Sequence, residues 1–346
     1  MRDYTRPLDL KNGRVEMAHG AGGRAMAHLI DELFARRLGN EWLAQGDDGA
    51  VLPAPGQGRL VMATDSHVVS PLFFPGGDIG CLSVHGTIND VAVMGAKPLW
   101  LSAAFILEEG FPLSDLARIV DSMARAARAA GVPVVTGDTK VVERGKGDGI
   151  FITTTGVGVV PAGVEISAER ARPGDAVLLS GSIGDHGVAV LSKRESLAFE
   201  TELLSDCASL HDLVARMVEA VPGIHAMRDP TRGGLAALLN EIAQQSGVGI
   251  ALNEDAIPVA PAVRGACELL GLDPLYVANE GKLVAFCAAE DADRLLAVMR
   301  AHPLGCDAAR IGTVVEDSRH FVQMQTSFGG HRIVDWLAGD QLPRIC

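Results

Sequence analysis

The sequence predicts an α/β protein with two domains, and three observations lead to this prediction. The chain has 346 residues, which is more than a single compact core usually needs. Strand-like apolar runs and amphipathic helical patterns alternate along it, as in folds that pack helices on a sheet. An Arg-Pro-Gly-Asp turn at 172–175 leads into a second α/β stretch. We therefore expect the domain boundary between Val160 and Pro173.

Four strands and two helices are predicted in the first half. The helix over 112–131 is the clearest, because a proline begins its amphipathic repeat and a glycine ends it. The other helix, over 78–96, is interrupted by glycine and by an Asn-Asp pair. The strands are predicted at 58–66, 99–107, 132–139 and 149–160.

The second half is predicted to begin with a buried strand at 176–180, a Gly-rich bend and a helix. Little periodicity follows Gln325. Further helices are expected near 208–220, 232–246, 260–271 and 290–301, with strands at 248–252, 282–288 and 309–315. The predicted units are an N-terminal segment with a Gly-rich loop (1–40), a first domain (41–162), a second domain (163–325) and a mobile tail (326–346).

The net charge and the lack of long apolar runs argue against two kinds of partner, nucleic acid and membrane. A net charge of −13 argues against nucleic acid, whose binding requires Lys and Arg to neutralise phosphates. This charge does not exclude a nucleotide ligand, because acidic side chains reach phosphates through a divalent cation. No apolar run is long enough to cross a membrane, and the polar N-terminus lacks the apolar stretch of a signal peptide. We expect a cytoplasmic protein.

The six cysteines are spaced too widely for a zinc site or a disulfide framework. Five of them lie among apolar residues and are expected to be buried small hydrophobes. The sixth, Cys346, is the last residue of the sequence. From position alone, an idle frayed end and a functional thiol are about equally plausible.

Acidic or amide side chains stand beside glycine or at strand ends at four places in the first half. Each alone is more often a turn residue or a helix cap. Together they favour a site for a hard cation and phosphates, because magnesium prefers several oxygen ligands. The four places are Asp47–Asp48, Asp65, Asn89–Asp90, and Asp138 with Lys140.

Two Gly-rich stretches, at 19–26 and 229–235, precede predicted helices and could supply backbone donors to an anion. Neither is the common phosphate-binding loop, which needs Gly-Lys-Ser/Thr, and a dinucleotide fingerprint is absent. Glu280 stands just before a strand. Taken by itself, Glu280 is most simply a solvated turn acid.

In order along the chain, the motifs HGAGGRAM, DDGAVL, TDSHVVSP, GTINDVAVMGAKP, GDTKVV, DPTRGGL and NEGKLV resemble the ATP-binding superfamily of aminoimidazole ribonucleotide synthetase. Selenophosphate synthetase and thiamine-monophosphate kinase belong to it. The resemblance covers about residues 15–315. The ending Pro-Arg-Ile-Cys is similar to one branch only, the carbamoyl dehydratases of [NiFe]-hydrogenase maturation. The reactive residue of selenophosphate synthetases is lacking before the Gly-rich loop.

The resemblance implies a PurM-like fold whose N-terminal domains pair into a dimeric β-barrel, with ATP and Mg²⁺ bound near that interface. It implies that a partner carbamoyltransferase, HypF, loads a carboxamide onto Cys346. The ATP-dependent reaction then dehydrates this group to a thiocyanate. The cyanide passes on to iron held by the HypC–HypD complex.

The resemblance also assigns roles to individual residues. Asp48, Asp65, Asp90 and Asp138 are expected to hold magnesium and the triphosphate. Lys140 and Glu280 are expected next to the modified tail, and which of them takes which proton stays open. The remaining nucleotide-binding residues are expected to be Gly22, Gly23, Asn89, Thr139 and Arg232.

An arm would let the thiol visit two enzymes. From Gly330 to Cys346 an extended chain reaches on the order of 50 Å. Gly329 and Gly330 are expected to act as its hinge, and Pro343 to favour an extended end. Two other readings stay open: a synthetase or kinase for a diffusible molecule with an incidental Cys346, and a non-enzymatic scaffold that uses ATP as a switch.

Overall fold

Two β-sheets, one in each half of the chain, organise the fold. The structure is a computed structural model, and it describes residues 7–45, 49–196, 203–337 and 344–346. The first sheet has the strand order β1-β6-β4-β5, in which only β4 and β5 are parallel. Its strands are β1 (Arg59–His67), β4 (Lys97–Glu108), β5 (Val134–Val142) and β6 (Ile150–Val160), and a small hairpin of β2 (Phe73–Phe74) and β3 (Gly77–Asp78) lies beside it.

One face of the first sheet is covered by two helices, α3 (Ile79–Val93) and α4 (Leu113–Ala130). Side chains alternate along β4 and β6 between this buried face and the opposite one, as the period of two in a strand requires. The opposite face carries exposed apolar side chains, among them Leu60 and Met62 of β1 and Ile106 of β4. This uncovered face is mixed, because the hydroxyl pairs Thr64–Thr155 and Ser66–Thr153 lie on it beside the apolar side chains.

Local signals determine where these two helices begin and end. The Asp78 side chain accepts hydrogen bonds from the backbone N–H groups of Gly80 and Cys81, which caps α3. Gly131 ends α4 in the left-handed conformation, at φ 67°. Gly80 also allows close packing, because a Cβ there would lie 2.1 Å from the Ile119 carbonyl oxygen of α4. Both predicted helices are present, with α3 ending three residues earlier than expected.

Helix α3 joins the two halves of the molecule. Its first turns pack into the core under the first sheet, whereas Val91, Ala92 and Val93 belong to a second core. That second core includes α6 (His211–Ala220) of the other half. Residues 86–90 of α3 consequently lie where the two halves meet.

The second half forms a seven-stranded sheet in the order β13-β12-β9-β11-β7-β10-β8. Its strands are β7 (Ala176–Leu179), β8 (Ala226–Arg228), β9 (Gly249–Asn253), β10 (Val284–Cys287), β11 (Ala309–Val315), β12 (Val322–Gln325) and β13 (His331–Ile333). Besides α6, its helices are α5 (Asp185–Arg194), α7 (Gly234–Ser246), α8 (Pro261–Leu270) and α9 (Ala292–Arg300). The sequence did not predict β8, β12 or β13.

The expected hinge is part of a hairpin. The backbone N–H of Gly329 donates to the Thr326 carbonyl, and that of Thr326 donates to the Gly330 carbonyl, so both glycines lie in the turn between β12 and β13. Strand β13 continues the second sheet. Residues 326–333, which the sequence assigned to the mobile tail, therefore belong to the second sheet, whereas Pro343 lies outside the described residues.

The N-terminal segment lies against the outer edge of the first sheet. It forms α1 (Arg24–Leu29), a π-helical turn (Ile30–Ala35) and α2 (Arg36–Leu38), with Leu29 and Leu33 fully buried. Among the described residues, no helix combines the length and apolar character needed to cross a bilayer.

Gly80→Ala should destabilise the protein, because the added methyl group collides with the backbone of α4. A clash of this kind costs about 1–3 kcal/mol, and it should appear as a lower midpoint of chemical denaturation. Gly265→Ala is the matched control in α8, since nothing lies within 4 Å of a Cβ added there. It should stabilise by up to about 1 kcal/mol. Equal midpoints for the two variants would contradict this account of the α3–α4 contact.

Candidate active site

The last residues of the sequence lie between the two halves of the molecule. The backbone N–H of Ser70 donates to the Arg344 carbonyl at 3.0 Å, and that of Val68 donates to the backbone oxygen of Cys346 at 3.1 Å. The Ile345 side chain is 4% exposed and belongs to the core under the first sheet. The sequence left the resting position of the tail open. In this structure the thiol is docked inside.

A group of carboxylates meets near the docked thiol. Asp65 comes from β1, Asp90 from α3 and Asp229 from the segment after β8. Burial raises the pKa of Asp90 to about 8, and the nearby charges of Asp229 and Asp65 add to the shift. Burial likewise raises the pKa of Asp229 to about 6. Ionising all three carboxyl groups at once is therefore unfavourable, and a bound proton or cation reduces the repulsion between them.

Gly86 makes room for this cluster in the middle of α3. A Cβ at this position would lie 3.7 Å from Oδ2 of Asp65 and 3.9 Å from Oε2 of Glu280. It would be 3.2 Å from Cε1 of His67, a buried histidine whose pKa burial lowers to about 4. Gly86, which interrupts the helical pattern of the sequence, therefore lies at the bottom of the site.

Glu280 is the most deeply placed acid of the site. It is 3% exposed, and its Oε1 atom is buried with no hydrogen-bond partner among the described residues. Asp206 fixes its backbone by accepting from the N–H groups of Glu280 and Gly281. Burial, and then the neighbouring acids, raise the pKa of Glu280 well above its ordinary value. The simple interpretation of Glu280 as a solvated turn acid is wrong.

The Cys346 thiol lies beside this carboxyl group. Burial raises the pKa of Cys346 to about 12, and Glu280 is the charged neighbour that adds most to the shift. The charge of Arg232 lowers the pKa of Cys346, so its guanidinium is also close to the thiol. A thiol with this pKa is protonated at neutral pH. The docked position therefore suits a sulfur that already carries its substrate better than a sulfur that must attack one.

Asn89 acts in the structure as a support for Glu280. Its side-chain amide donates to the carbonyls of Glu280 and Ala208, and its Oδ1 accepts from the N–H of Leu210. Asn89 is 1% exposed. The nucleotide contact that the resemblance implied would compete with these three bonds, and it stays a prediction.

Asp138 and Lys140 lie at the other edge of the first sheet. They are paired with each other, Nζ to Oδ2, at 2.7 Å, and the hydrogen bond from Lys140 lowers the pKa of Asp138. Strands β6 and β4 separate β5 from β1, so Asp138 and Asp65 are about 14 Å apart along the sheet. The register also directs the two acids to opposite faces, since Asp138 pairs with Ala104 and Asp65 aligns with Ala103.

The Gly-rich loop lies at this same edge. Gly20 contacts β5 closely, because a Cβ there would be 2.7 Å from the Val141 nitrogen, whereas Gly22 and Gly23 have open space around them. A mainly apolar cavity of about 160 Å³ adjoins the loop. Helical residues such as Met26 and Phe34 line it on one side, and Asp138 and Thr139 on the other.

The predicted residues thus fall into two groups within one chain. Asp65, Asp90, Arg232, Glu280 and Cys346 come together between the halves. The group at the β5 edge comprises Gly22, Gly23, Asp138, Thr139 and Lys140. Asp48 lies outside the described residues. Within the ranges that the structure describes, no three His, Cys, Asp or Glu side chains are arranged as a metal site.

Sequence reasoning missed Asp229 and Asp206. Asp229 opens the DPTRGGL stretch, and it offered the same signal as the other candidates, an acid close to glycines. Asp206 offered none, because its role depends on a contact with residues more than seventy positions away.

Comparison with known proteins places the chain in a family. The N-terminal and C-terminal domain models of the AIR synthase related proteins match residues 46–160 and 172–325. Carbamoyl dehydratase HypE of Cupriavidus necator is 72% identical over 343 residues, covering 99% of this chain and 98% of that protein. The chain belongs to the HypE family. This confirms the resemblance and the two-domain α/β fold that it implied.

Two solved structures of the HypE family extend the comparison. HypE in complex with ATP superposes with a TM-score of 0.92 at 51% identity, over 96% of this chain and 99% of that one. HypE in a HypE–HypF complex gives a TM-score of 0.79 at 50% identity, over 89% of this chain and 99% of that one. One relative was therefore solved with ATP and another in a complex with HypF.

Asp90 should make the protein less stable as pH rises. Its folded pKa of about 8 exceeds the value of 3.8 expected for the unfolded chain, so the folded state holds the extra proton between these values. The free energy of unfolding should then fall as pH increases from about 4 to about 8. Asp90→Asn should make this fall shallower, as measured by denaturation midpoints without divalent cations.

The exposed Asp255 supplies the control for this measurement. Asp255→Asn should leave the pH dependence as in the unsubstituted chain. If Asp90→Asn and Asp255→Asn give the same profile, the acid cluster does not carry the charge repulsion assigned to it.

Proposed function

We propose that this protein is an ATP-dependent carbamoyl dehydratase of [NiFe]-hydrogenase maturation that acts on its own Cys346. The reaction converts an S-carbamoyl group on this thiol to a thiocyanate, the source of cyanide ligands for iron. One observation carries the proposal: the thiol is docked beside an acidic cluster and the buried carboxyl group of Glu280, whose Oε1 has no hydrogen-bond partner among the described residues. Membership of the HypE family supports it.

The chemical problem is the removal of an oxygen that leaves poorly as hydroxide. Transfer of the γ-phosphoryl group of ATP to the carbamoyl oxygen turns that oxygen into a phosphate leaving group. The nitrogen loses both of its protons, the carbon–oxygen bond breaks, and a carbon–nitrogen triple bond forms. The products are the thiocyanate, ADP and phosphate. Positioning and proton transfer are therefore the tasks left to the protein.

Glu280 is the base that the geometry supports best for the carbamoyl nitrogen. It is close to the sulfur that carries the group, and its Oε1 has no competing partner among the described residues. The surrounding acids keep its pKa high, so positive charge that pairs with them lowers it. Glu280 thus becomes a competent base when the acidic cluster is neutralised.

The acidic cluster has the chemistry of a divalent-cation site. Asp65 and Asp90 share a hydrogen bond, and the charge of Asp229 acts on Asp90, and crowded carboxylates are ligands of the kind magnesium takes. Of the described residues, Asp65 and Asp90 would hold the ion, with the charge of Asp229 nearby and Asp48 as a further predicted ligand. When bound, magnesium neutralises charge on the triphosphate. Arg232 adds a second positive charge beside the thiol.

The β5 edge is suited to the rest of the nucleotide. Its apolar cavity has the character expected of a base-binding pocket, and the open glycines Gly22 and Gly23 allow phosphates to approach the backbone. Thr139 and Asp138 line the same cavity. The relative solved with ATP supports a nucleotide site in this family.

Two copies of the chain would bring these two groups together. Strands β1 and β5 are the outer strands of the first sheet, and the apolar side chains of Leu60, Met62 and Ile106 are exposed on its uncovered face. Two such sheets closed into an eight-stranded barrel remove both edges and bury this face. If β5 of one copy lies beside β1 of the other, the edge that carries Asp138, Thr139 and Lys140 lies next to the partner's acidic site, with Thr139 on the same face of the sheet as Asp65.

The family resemblance implies two partner proteins for the tail. The docked thiol is half-buried and its pKa is raised, so loading and delivery are proposed to take place with the tail outside the site. HypF is the proposed donor of the carbamoyl group, in keeping with a relative solved as a HypE–HypF complex. The HypC–HypD complex is the proposed acceptor of the cyanide. A Cys346 without a role in the reaction would not need to lie beside Glu280, so its docked position favours the proposed carrier role over an incidental thiol.

Mass spectrometry of the tail tests the reaction directly. After incubation with HypF, carbamoyl phosphate and ATP, the Cys346 peptide should gain a carbamoyl group and then lose the mass of one water. Cys346→Ala should abolish both changes without affecting ATP binding. Cys306→Ala is the control, because Cys306 is exposed, and the expectation that it would be buried is wrong. The same mass changes on any other cysteine would refute the carrier role.

Mixed dimers test whether the site is shared. Lys140→Ala and Glu280→Gln should each lower the dehydration rate by about 10²- to 10⁴-fold, the usual size of an acid–base contribution. A dimer of one chain of each kind contains one site without either substitution, so it should recover roughly half of the unsubstituted activity. Activity is measured on purified, doubly tagged dimers. If they are as inactive as the parents, Lys140 and Glu280 do not act across the interface.

A further inference from the structure

The backbone of the docked tail is held at each of its last three residues. The Arg344 carbonyl accepts from the backbone of Ser70 and from Nη2 of Arg194, the latter at 2.8 Å. The Ile345 carbonyl accepts from Nε2 of His186 at 2.8 Å. The backbone oxygen of Cys346 accepts from the N–H of Val68. Since three successive residues are fixed, the direction of the Cys346 side chain is fixed as well.

We propose that His186 and Arg194 are positioning residues that hold the tail in its reactive place. Together with Val68 and Ser70 they form what we call the tail clamp. The clamp deepens the proposed function and rests on it, because a carbamoyl group of three heavy atoms offers little surface for recognition. Its alignment with ATP and Glu280 must come from the chain that carries it.

Helix α5 contributes both side chains of the clamp. His186 is in its first turn and Arg194 is its last residue, so the two are about 12 Å apart along the helix axis. Arg194 also donates through Nε to the Ser70 carbonyl at 2.8 Å. Arg194 therefore hydrogen-bonds to the tail and to the 68–70 segment at the same time. Through these bonds, α5 of the second half contacts the segment that follows β1.

His186 is prepared for this role by its own partners. A carbonyl only accepts, so Nε2 carries the hydrogen, and Nδ1 is left to accept from the Ser205 hydroxyl at 2.8 Å. The ring is fully buried and makes an edge contact with Phe74, with centroids 5.4 Å apart. Burial lowers the pKa of His186, which keeps the ring neutral and this tautomer in place.

The side chains of the tail add selectivity to the backbone clamp. Arg344 forms an ion pair with Asp148 and donates to the Val68 carbonyl at 3.2 Å. Ile345 fills a space in the core under the first sheet. The surroundings of the tail thus accommodate a cation and then an apolar residue, which explains Arg344 and Ile345 of the ending in physical terms.

Alkylation of Cys346 measures occupancy of the clamp without ATP or HypF. Iodoacetamide is applied to the full-length protein, and peptide mass spectrometry gives the rate at Cys346 relative to the exposed Cys306. His186→Asn keeps a group near Nδ1 but loses the Nε2 donor, so the ratio should rise roughly five- to tenfold, as expected for one hydrogen bond. His186→Gln retains a donor near Nε2 and should stay within about twofold of the unsubstituted chain.

Arg194→Met is the second variant, chosen because Arg194 is half-buried and methionine keeps its apolar stem. It should raise the same ratio, whereas Lys193→Met, at the exposed neighbouring position, should not. An unchanged ratio in Arg194→Met, or in folded His186→Asn, would overturn the proposal. Because the measurement needs no turnover, a failure of the dehydration reaction leaves it intact, and the two proposals are tested separately.

Discussion

Negative charge confined between the two halves of the molecule is the constraint on which the rest of the site depends. Asp65, Asp90, Asp229 and Glu280 lie close together, and burial and the neighbouring acids raise the pKa values of Asp90, Asp229 and Glu280. Such a cluster is stable only when protons or cations balance it. In the proposed reaction, a positively charged or metal-bound ligand supplies this balance, and nucleotide binding would then be linked to the basicity of Glu280.

The same confinement determines how the thiol behaves. In the docked position, the raised pKa keeps Cys346 a neutral thiol close to Glu280. In the proposed reaction, the thiol would become a nucleophile only outside the site, as carbamoyl loading requires. Docking would then separate the loading of the thiol from the dehydration step. The tail clamp of Val68, Ser70, His186 and Arg194 is what makes the two states distinct.

Several elements were predictable because their signals are local. Asp78 caps α3 by accepting from the backbone N–H groups of Gly80 and Cys81, and Pro112 and Gly131 mark the two ends of α4. Strand β13 was not predictable, because three exposed residues form a strand only by pairing with β12. For the same reason, Gly329 and Gly330 looked like a hinge although they close a hairpin.

The sequence by itself determined the identity of the reactive groups: a terminal thiol, acids beside glycines, and an ordered set of motifs that resembles an ATP-binding superfamily. Only the tertiary structure decided which of them meet. It brought Glu280 into the interior, assigned Asn89 to supporting it, and separated Asp138 and Lys140 from Asp65 by two intervening strands. The physical reason is that proximity depends on strand order and on the packing of α3 between two cores, and neither is encoded in residue spacing.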